Sequence, residues 1–279
     1  MRSQRQAEDW SVVLLSQGIE STIQQTVETG QWQLLVDHQN YTPALRLLRV
    51  YVTENKRPLW VQPVPWSGGL VFDWRSPIWF LLLTTMFYLS THGLDALGTS
   101  GIMDTRRVAQ GEWWRFFTAV MLHGDVRHLM SNCVIGIVFL GLAMAAYGPG
   151  IALLTTFLCG AAANVASYFI YQHPYRALGA SGMVMAALGM LVAHSFWLRR
   201  VRRPVGPIVL RGVAGGLLLL VLLGFDPGSD TVAHVSGFVL GVIFGREARF
   251  LKSHSESADT IAGLIFVALA GLCWWLALR

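Results

Sequence analysis

Four polar side chains lie within, or at the start of, long apolar stretches of this sequence: His128, Asn132, Ser181 and His234. A serine beside a neutral imidazole can act as a nucleophile, because the imidazole accepts the hydroxyl proton. An amide side chain close to such a pair can donate a hydrogen bond to a developing oxyanion. Polar groups are costly inside a bilayer, so these four residues are candidates for a functional site.

Ser181 lies in a run of small residues, Gly179-Ala180-Ser181-Gly182, at the start of an apolar stretch. Small flanking residues let a substrate backbone approach the hydroxyl closely. A helix that begins here would also offer unpaired backbone N–H groups to an oxyanion. The run fits equally well a site where two transmembrane helices pack, because such sites are rich in small residues.

His234 opens another apolar stretch, in which Gly237, Gly241 and Gly245 recur at four-residue spacing. This spacing leaves one helix face without side chains, so a neighbouring helix can pack very close. The stretch after Ser181 carries a matching set, Gly182, Ala186 and Gly189. If the two faces meet, His234 comes within hydrogen-bond reach of Ser181; a histidine bound to interfacial water is the alternative. No Asp or Glu lies near these residues inside either stretch, which favours a Ser-His dyad over a triad.

His123, His128 and Asn132 form a further array, in which His128 and Asn132 share one helical face. An amide in apolar sequence is costly without a partner, and donation to an oxyanion would explain Asn132. A metal site is the rival interpretation. The His-Glu-x-x-His pattern of zinc proteases is absent, and the three cysteines lack metal-ligand spacing, so we predict neither a metal nor a cofactor.

The composition indicates that membrane helices carry these residues. Of 279 residues, 53% are hydrophobic and 13% are charged, whereas soluble domains average about 25% charged residues. The apolar side chains must therefore face lipid. The net charge of +5 comes mostly from basic residues at the ends of apolar stretches and in the polar N-terminal segment, which indicates membrane orientation and argues against a nucleic-acid partner.

Residues 73–279 are predicted to form an all-α polytopic membrane domain. Its apolar stretches are each close to the ~20 residues that a spanning helix needs. The predicted spans are 77–94, 125–147, 149–170, 181–198, 206–224, 232–248 and 259–277.

Residues 1–72 are predicted to form a small cytosolic α/β domain and linker, of two strands and two helices. Trp10–Leu15 and Trp32–Val36 are the predicted strands, and Tyr41–Val52 shows mixed helical spacing of apolar residues. Prolines and glycines over Arg57–Gly69 indicate the linker.

Positive charges in short loops predict the orientation. One cluster separates the fourth and fifth spans and another separates the sixth and seventh, and cytoplasmic loops retain such charges. The N-terminal domain is then cytoplasmic and the C-terminus lies outside. Arg106 and Arg107, after the first span, run against this rule. The polar N-terminus indicates no cleavable signal peptide, so insertion would rely on the internal spans. The residues of the two clusters are Arg199, Arg200, Arg202, Arg203, Arg246, Arg249 and Lys252.

Taken together, these residues resemble the rhomboid family of intramembrane serine proteases, over roughly residues 77–248. The motifs occur in the family's order and at its spacings. The resemblance implies a rhomboid-like six-helix bundle, here followed by an extra transmembrane helix at about 259–277. The matching residues are Glu112-Trp113-Trp114-Arg115, His123, His128, Asn132, Gly179-Ala180-Ser181-Gly182, Ala233-His234, Gly237 and Gly241.

The resemblance also implies the role of each residue. Ser181 would be the nucleophile and His234 the general base. The oxyanion hole would use the Ser181 backbone N–H and the Asn132 amide, with His128 assisting. Glu112, Trp114 and Arg115 would hold the loop after the first span, and His123 would support local hydrogen bonding. One departure concerns the position four after the serine, often aromatic in the family and Met185 here; a thioether can fill that space, so the departure bears on rate.

The expected activity is that of a serine-type endopeptidase that cuts single-pass or polytopic membrane protein substrates in or near their transmembrane segments. The expected location is a bacterial inner (cytoplasmic) membrane. A catalytically silent rhomboid-like protein that binds transmembrane clients is the alternative. A small transporter or channel is a third interpretation, but it predicts ionisable groups near the midplane and broken helices, which we do not find in this sequence.

Overall fold

A computed structural model describes residues 4–26, 30–55, 72–201, 205–224, 229–254 and 257–279. The chain divides into two compact units, Met1–Gln62 and Pro63–Arg279. The predicted linker lies outside the described residues.

The first unit is a small α/β unit with an antiparallel hairpin. Its elements are α1 (Gln4–Leu15), β1 (Thr22–Gln25), β2 (Trp32–Leu35) and α2 (Tyr41–Glu54). Ile23 pairs with Leu34 across the hairpin. Leu14, Ile19 and Ala44 form a small buried core.

One predicted strand of this unit is wrong, because Trp10–Leu15 belongs to helix α1. Ala7 and Leu14 are its buried residues, and Trp10 and Ser11, between them, are half-buried. This three- to four-residue recurrence is helical and outweighs the β preference of Val12 and Val13. The strand β2 lies within the predicted range, and its partner is Thr22–Gln25.

The second unit is mostly helical. Helices lie at all seven ranges predicted as spans, and short elements occupy the loops between them. In chain order the elements are α3 (Ser76–Thr91), α4 (Asp95–Gly101), β3 (Met103–Asp104), α5 (Thr105–Ala109), α6 (Arg115–Thr118), α7 (Val126–Tyr147), α8 (Pro149–Ile170), β4 (Arg176–Ala177), α9 (Ser181–Val201), α10 (Val205–Gly224), α11 (Thr231–His254) and α12 (Ala258–Leu278).

Length and hydropathy separate these helices into classes. Within the described residues, α7, α8 and α12 are each long and apolar enough to cross a membrane. Shorter apolar helical segments lie in α3, α9 and α10, at Ser76–Thr91, Ser181–Phe196 and Val209–Leu223. Helix α11 extends beyond its predicted end to His254, because its last turns carry charged residues that suit an aqueous boundary.

Helix α9 is the centre of the bundle and packs against α7, α8, α10 and α11. Glycines make the contact with α11 close. A Cβ on Gly241 would overlap the Ala186 carbonyl, and one on Gly237 would overlap the Gly182 carbonyl. The small-residue stripe predicted to face the Ser181 helix therefore does so.

Helix α12 packs along α8 and against the loop elements α4 and α6. At its start, the Asp259 Oδ1 accepts a hydrogen bond of 3.0 Å from the Ile151 N–H, in the first turn of α8. Gly150 and Gly263 let the two backbones approach there. The C-terminal helix is thus part of the packed bundle.

Candidate active site

The loop before α9 adopts a conformation that requires glycine. Gly179 has φ +132°, and a Cβ there would lie 2.5 Å from the His128 ring. Its N–H donates to the Ala119 carbonyl over 2.9 Å, which ties this loop to the turn before α7. Helix α9 begins directly afterwards, at Ser181. The half-buried serine therefore stands at a helix N-terminus, as predicted.

His234 lies in the first turn of α11 and is 5% exposed. Asp230 precedes that turn, and its carbonyl accepts from the His234 N–H over 3.0 Å. The Asp230 Oδ1 accepts from the Ala233 N–H and from the Ser167 hydroxyl, each over 2.9 Å. Asp230 thus caps α11 and joins it to α8.

The backbones beside Ser181 and His234 meet. A Cβ on Gly182 would lie 3.7 Å from the Ala233 carbonyl oxygen. Ser181, His234, His128 and Asn132 all line one cavity of about 1030 Å³. The fold thus places around one cavity the four polar residues that the sequence marks as candidates, because polar groups are costly in a bilayer. Met185, also on this cavity, is 3% exposed.

Asn132 and His128 lie against the serine loop from the side of α7. The Asn132 Nδ2 lies 3.1 Å from the His123 Nε2, and the Ala180 N–H donates weakly to the same nitrogen over 3.5 Å. One histidine therefore touches both the amide side chain and the residue before Ser181. An Asn amide has two N–H donors, so the second can serve an oxyanion in the cavity.

His123 is suited to this accepting role because it stays neutral. It is 4% exposed, and burial, with the neighbouring His128, lowers its pKa to about 3. Its Nε2 can then accept while its Nδ1 carries the proton. This geometry agrees with the local hydrogen-bonding role expected for His123.

Glu112, Trp114 and Arg115 lie away from the cavity, in the loop between α3 and α7. Arg115 is 6% exposed, and its Nε donates to the Glu112 Oε2 over 2.6 Å. The Arg115 Nη1 donates to the Ile102 carbonyl over 2.7 Å. Trp114 directly precedes α6. The buried Arg115 guanidinium thus bonds both a carboxylate and a backbone carbonyl of this loop, which fits a structural role.

Three further residues that the sequence did not predict line the same cavity: Asp230, Tyr171 and Tyr175. Burial, followed by the Asp230 charge, raises the pKa of Tyr175. Asp230 is not among the residues predicted from the sequence. Its position just before an apolar helix is a known capping signal that could have identified it, whereas nothing in the sequence marks the tyrosines.

Comparison with known proteins shows which family this chain is similar to. The family model described as "Rhomboid domain" matches residues 110–248, which include the four polar residues of the cavity. "Rhomboid protease GluP" of Bacillus subtilis is 27% identical over 199 residues, which cover 68% of this chain and 38% of that protein. "RHOMBOID-like protein 4" of Arabidopsis thaliana is 29% identical over 154 residues, covering 53% of this chain and 38% of the relative.

The chain thus spans less than two thirds of the length of these two relatives. YdcA of B. subtilis, whose name also refers to rhomboids, is 31% identical over 137 residues, covering 49% of this chain and 67% of YdcA. The chain is an integral membrane protein that belongs to the rhomboid family, whose named members include proteases.

Proposed function

We propose that this chain is an intramembrane serine endopeptidase that uses Ser181 as nucleophile and His234 as general base. One observation carries the proposal. The first turns of α9 and α11 pack backbone to backbone at Gly182 and Ala233, and Ser181 and His234 in these turns line the cavity that Asn132 and His128 also line.

In the proposed reaction, the His234 imidazole accepts the Ser181 proton while the Oγ attacks a peptide carbonyl carbon. The Ser181 N–H, the Asn132 amide and His128 donate to the resulting oxyanion. Collapse breaks the C–N bond, and His234 returns the proton to the leaving amine. Water, deprotonated by His234, then attacks the acyl-enzyme; the ester C–O bond breaks, and His234 returns the proton to the Ser181 Oγ as the second product leaves.

We propose a Ser-His dyad, with Asp230 in a supporting role. Its Oδ1 already accepts from a backbone N–H and from the Ser167 hydroxyl, so we assign it to helix capping. Its backbone carbonyl accepts from the His234 N–H, and Asp230 therefore helps to position the helix turn that carries the base.

The substrates we propose are single-pass or polytopic membrane proteins, cut in or near a transmembrane segment. A helical carbonyl is bonded within its own helix and shielded, so the scissile segment must unwind locally. Substrates with helix-weakening Gly, Pro or polar residues should therefore be preferred. We propose a bacterial inner membrane as the location, because GluP and YdcA are bacterial proteins.

Labelling with a fluorophosphonate probe in native-like membranes tests the proposal. We expect wild type to be labelled, and Ser181→Ala and His234→Ala to lose the label. Ser131→Ala is the matched control, because Ser131 lines the same cavity but bonds only the His128 carbonyl of its own helix among the described residues. A folded wild-type protein that takes no label would favour the silent binder of transmembrane clients.

A further inference from the structure

The end of α12 holds a buried turn of the bundle in place. The Trp274 Nε1 donates to the Met121 Sδ over 3.1 Å. A Cβ on Gly101 would lie 2.6 Å from the Trp274 ring and 2.9 Å from the Leu122 side chain. The indole therefore lies between the end of α4 and the segment Ala119–His123. Only glycine at position 101 leaves room for the ring.

The segment that Trp274 supports is buried and reaches the candidate active site on its other side. Met121 is 4% exposed and Leu122 is 2% exposed. The Ala119 carbonyl accepts from the Gly179 N–H over 2.9 Å. His123, which follows Leu122, contacts the Asn132 amide and the Ala180 N–H.

Contacts near the start and in the middle of α12 fix this helix in the bundle, and they therefore restrain the position of the Trp274 indole. Asp259 bonds the first turn of α8 at one end. In the middle, the Phe266 ring lies 5.4 Å from that of Trp79 and 5.2 Å from that of Phe157, edge to face in both cases. A displacement of Trp274 would have to disturb these contacts as well.

We infer that Trp274 is a positioning residue for the oxyanion side of the site, acting through the segment Ala119–His123 on Asn132 and the Gly179–Ala180 backbone. This inference rests on the proposed function for its catalytic consequence. The C-terminal helix α12 would then keep the oxyanion donors at the distance from the substrate oxygen that the transition state requires.

The kinetic test compares Trp274→Phe with Trp275→Phe in the full chain. Trp275 is the matched control, because it is the adjacent residue, is 55% exposed and is absent from the contacts with Met121, Leu122 and Gly101. Trp274→Phe keeps an aromatic ring but loses the N–H and one ring. We expect kcat to fall about three- to tenfold with KM unchanged, as for one lost hydrogen bond that acts on the transition state. Trp275→Phe should keep both constants.

Met121→Leu removes the sulfur acceptor while conserving volume, and provides a second, milder variant. It should lower kcat in the same direction, and the double variant should lose little beyond Trp274→Phe, because both remove one interaction. Equal kcat in Trp274→Phe and Trp275→Phe, or additive losses in the double variant, would overturn the inference.

Amide hydrogen exchange separates this inference from the proposed function. Exchange at Gly179 and Ala180 should be about three- to tenfold faster in Trp274→Phe than in wild type or Trp275→Phe, because the turn that binds these amides loosens. A wild type without activity would end the proposed function, yet faster exchange would still support the positioning contact. Unchanged exchange, or faster exchange with unchanged kcat in an active enzyme, would contradict the inference.

Discussion

Asn132 is the residue whose removal tests the oxyanion site most directly. One N–H of its amide faces His123 over 3.1 Å, which leaves the other for substrate. We expect Asn132→Ala to lower turnover about 100- to 1,000-fold, as with other lost oxyanion donors, with little change in KM. Turnover of a fluorogenic transmembrane substrate measures this. Ser131→Ala, one residue away, is the control, and an unchanged rate in Asn132→Ala would remove Asn132 from the oxyanion hole.

Asp230 decides between a dyad and a triad. Asparagine caps helices as well as aspartate does, so Asp230→Asn should keep the bond to the Ala233 N–H and retain turnover within about threefold. Asp230→Ala should lose about 1 kcal/mol of stability with its cap. Thermal unfolding and turnover of both variants check this. A loss approaching about 10⁴-fold in Asp230→Asn would instead identify Asp230 as a carboxylate that orients the imidazole.

At the scale of elements, the contact between α9 and α11 sets the distance between nucleophile and base. A Cβ on Gly241 would overlap the Ala186 backbone, and backbone cannot move aside as a flexible side chain can. We expect Gly241→Ala to separate the helices, to cost about 1–3 kcal/mol of stability and to lower the rate of probe labelling at Ser181 at least tenfold, since about 1 Å of misplacement can cost 100-fold.

The control for this variant is Gly215→Ala in α10, where an added Cβ meets nothing within 4 Å. Alanine there should be neutral or slightly stabilising, because it favours helix by up to about 1 kcal/mol over glycine. The unfolding temperature in detergent and the labelling rate are measured for both variants. Equal behaviour of the two would show that the close approach of α9 and α11 is not needed.

At the scale of the whole molecule, the orientation determines from which side water reaches Ser181. Helix α8 has 22 residues and is therefore about 33 Å long, close to the ~30 Å hydrocarbon thickness. Exposed Gln172 follows its end, whereas exposed Ser257 lies two residues before Asp259, which bonds the start of α8. The two positions therefore belong to opposite faces of the membrane.

We expect an impermeant maleimide to label Gln172→Cys in intact cells, and Ser257→Cys only after permeabilisation, as the positive charges in the loops predict. The three native cysteines are buried and should give little background, which the unmodified chain controls. The reverse labelling would invert the orientation and make Ser181 accessible from the cytoplasm.

The sequence by itself determined the membrane class and marked the polar residues of the candidate site. A bilayer penalises each uncompensated polar group, so Ser181, Asn132 and His234 stand out without any structure. The glycine stripe of α11 likewise predicted its close partner, because small residues at this spacing have few other uses in lipid. The wrong strand at Trp10–Leu15 arose where the apolar run was too short for its period to be recognised.

Tertiary structure alone decided which groups support those residues. Trp274 lies 153 residues from Met121, to which it donates, and His123 lies 57 residues from Ala180. The local sequence does not predict such pairs, because a tryptophan near the end of an apolar helix has the same neighbours in sequence whether its side chain is exposed, as Trp275 is, or packed against a distant turn. Which face of α12 is buried depends on the packing of the whole bundle.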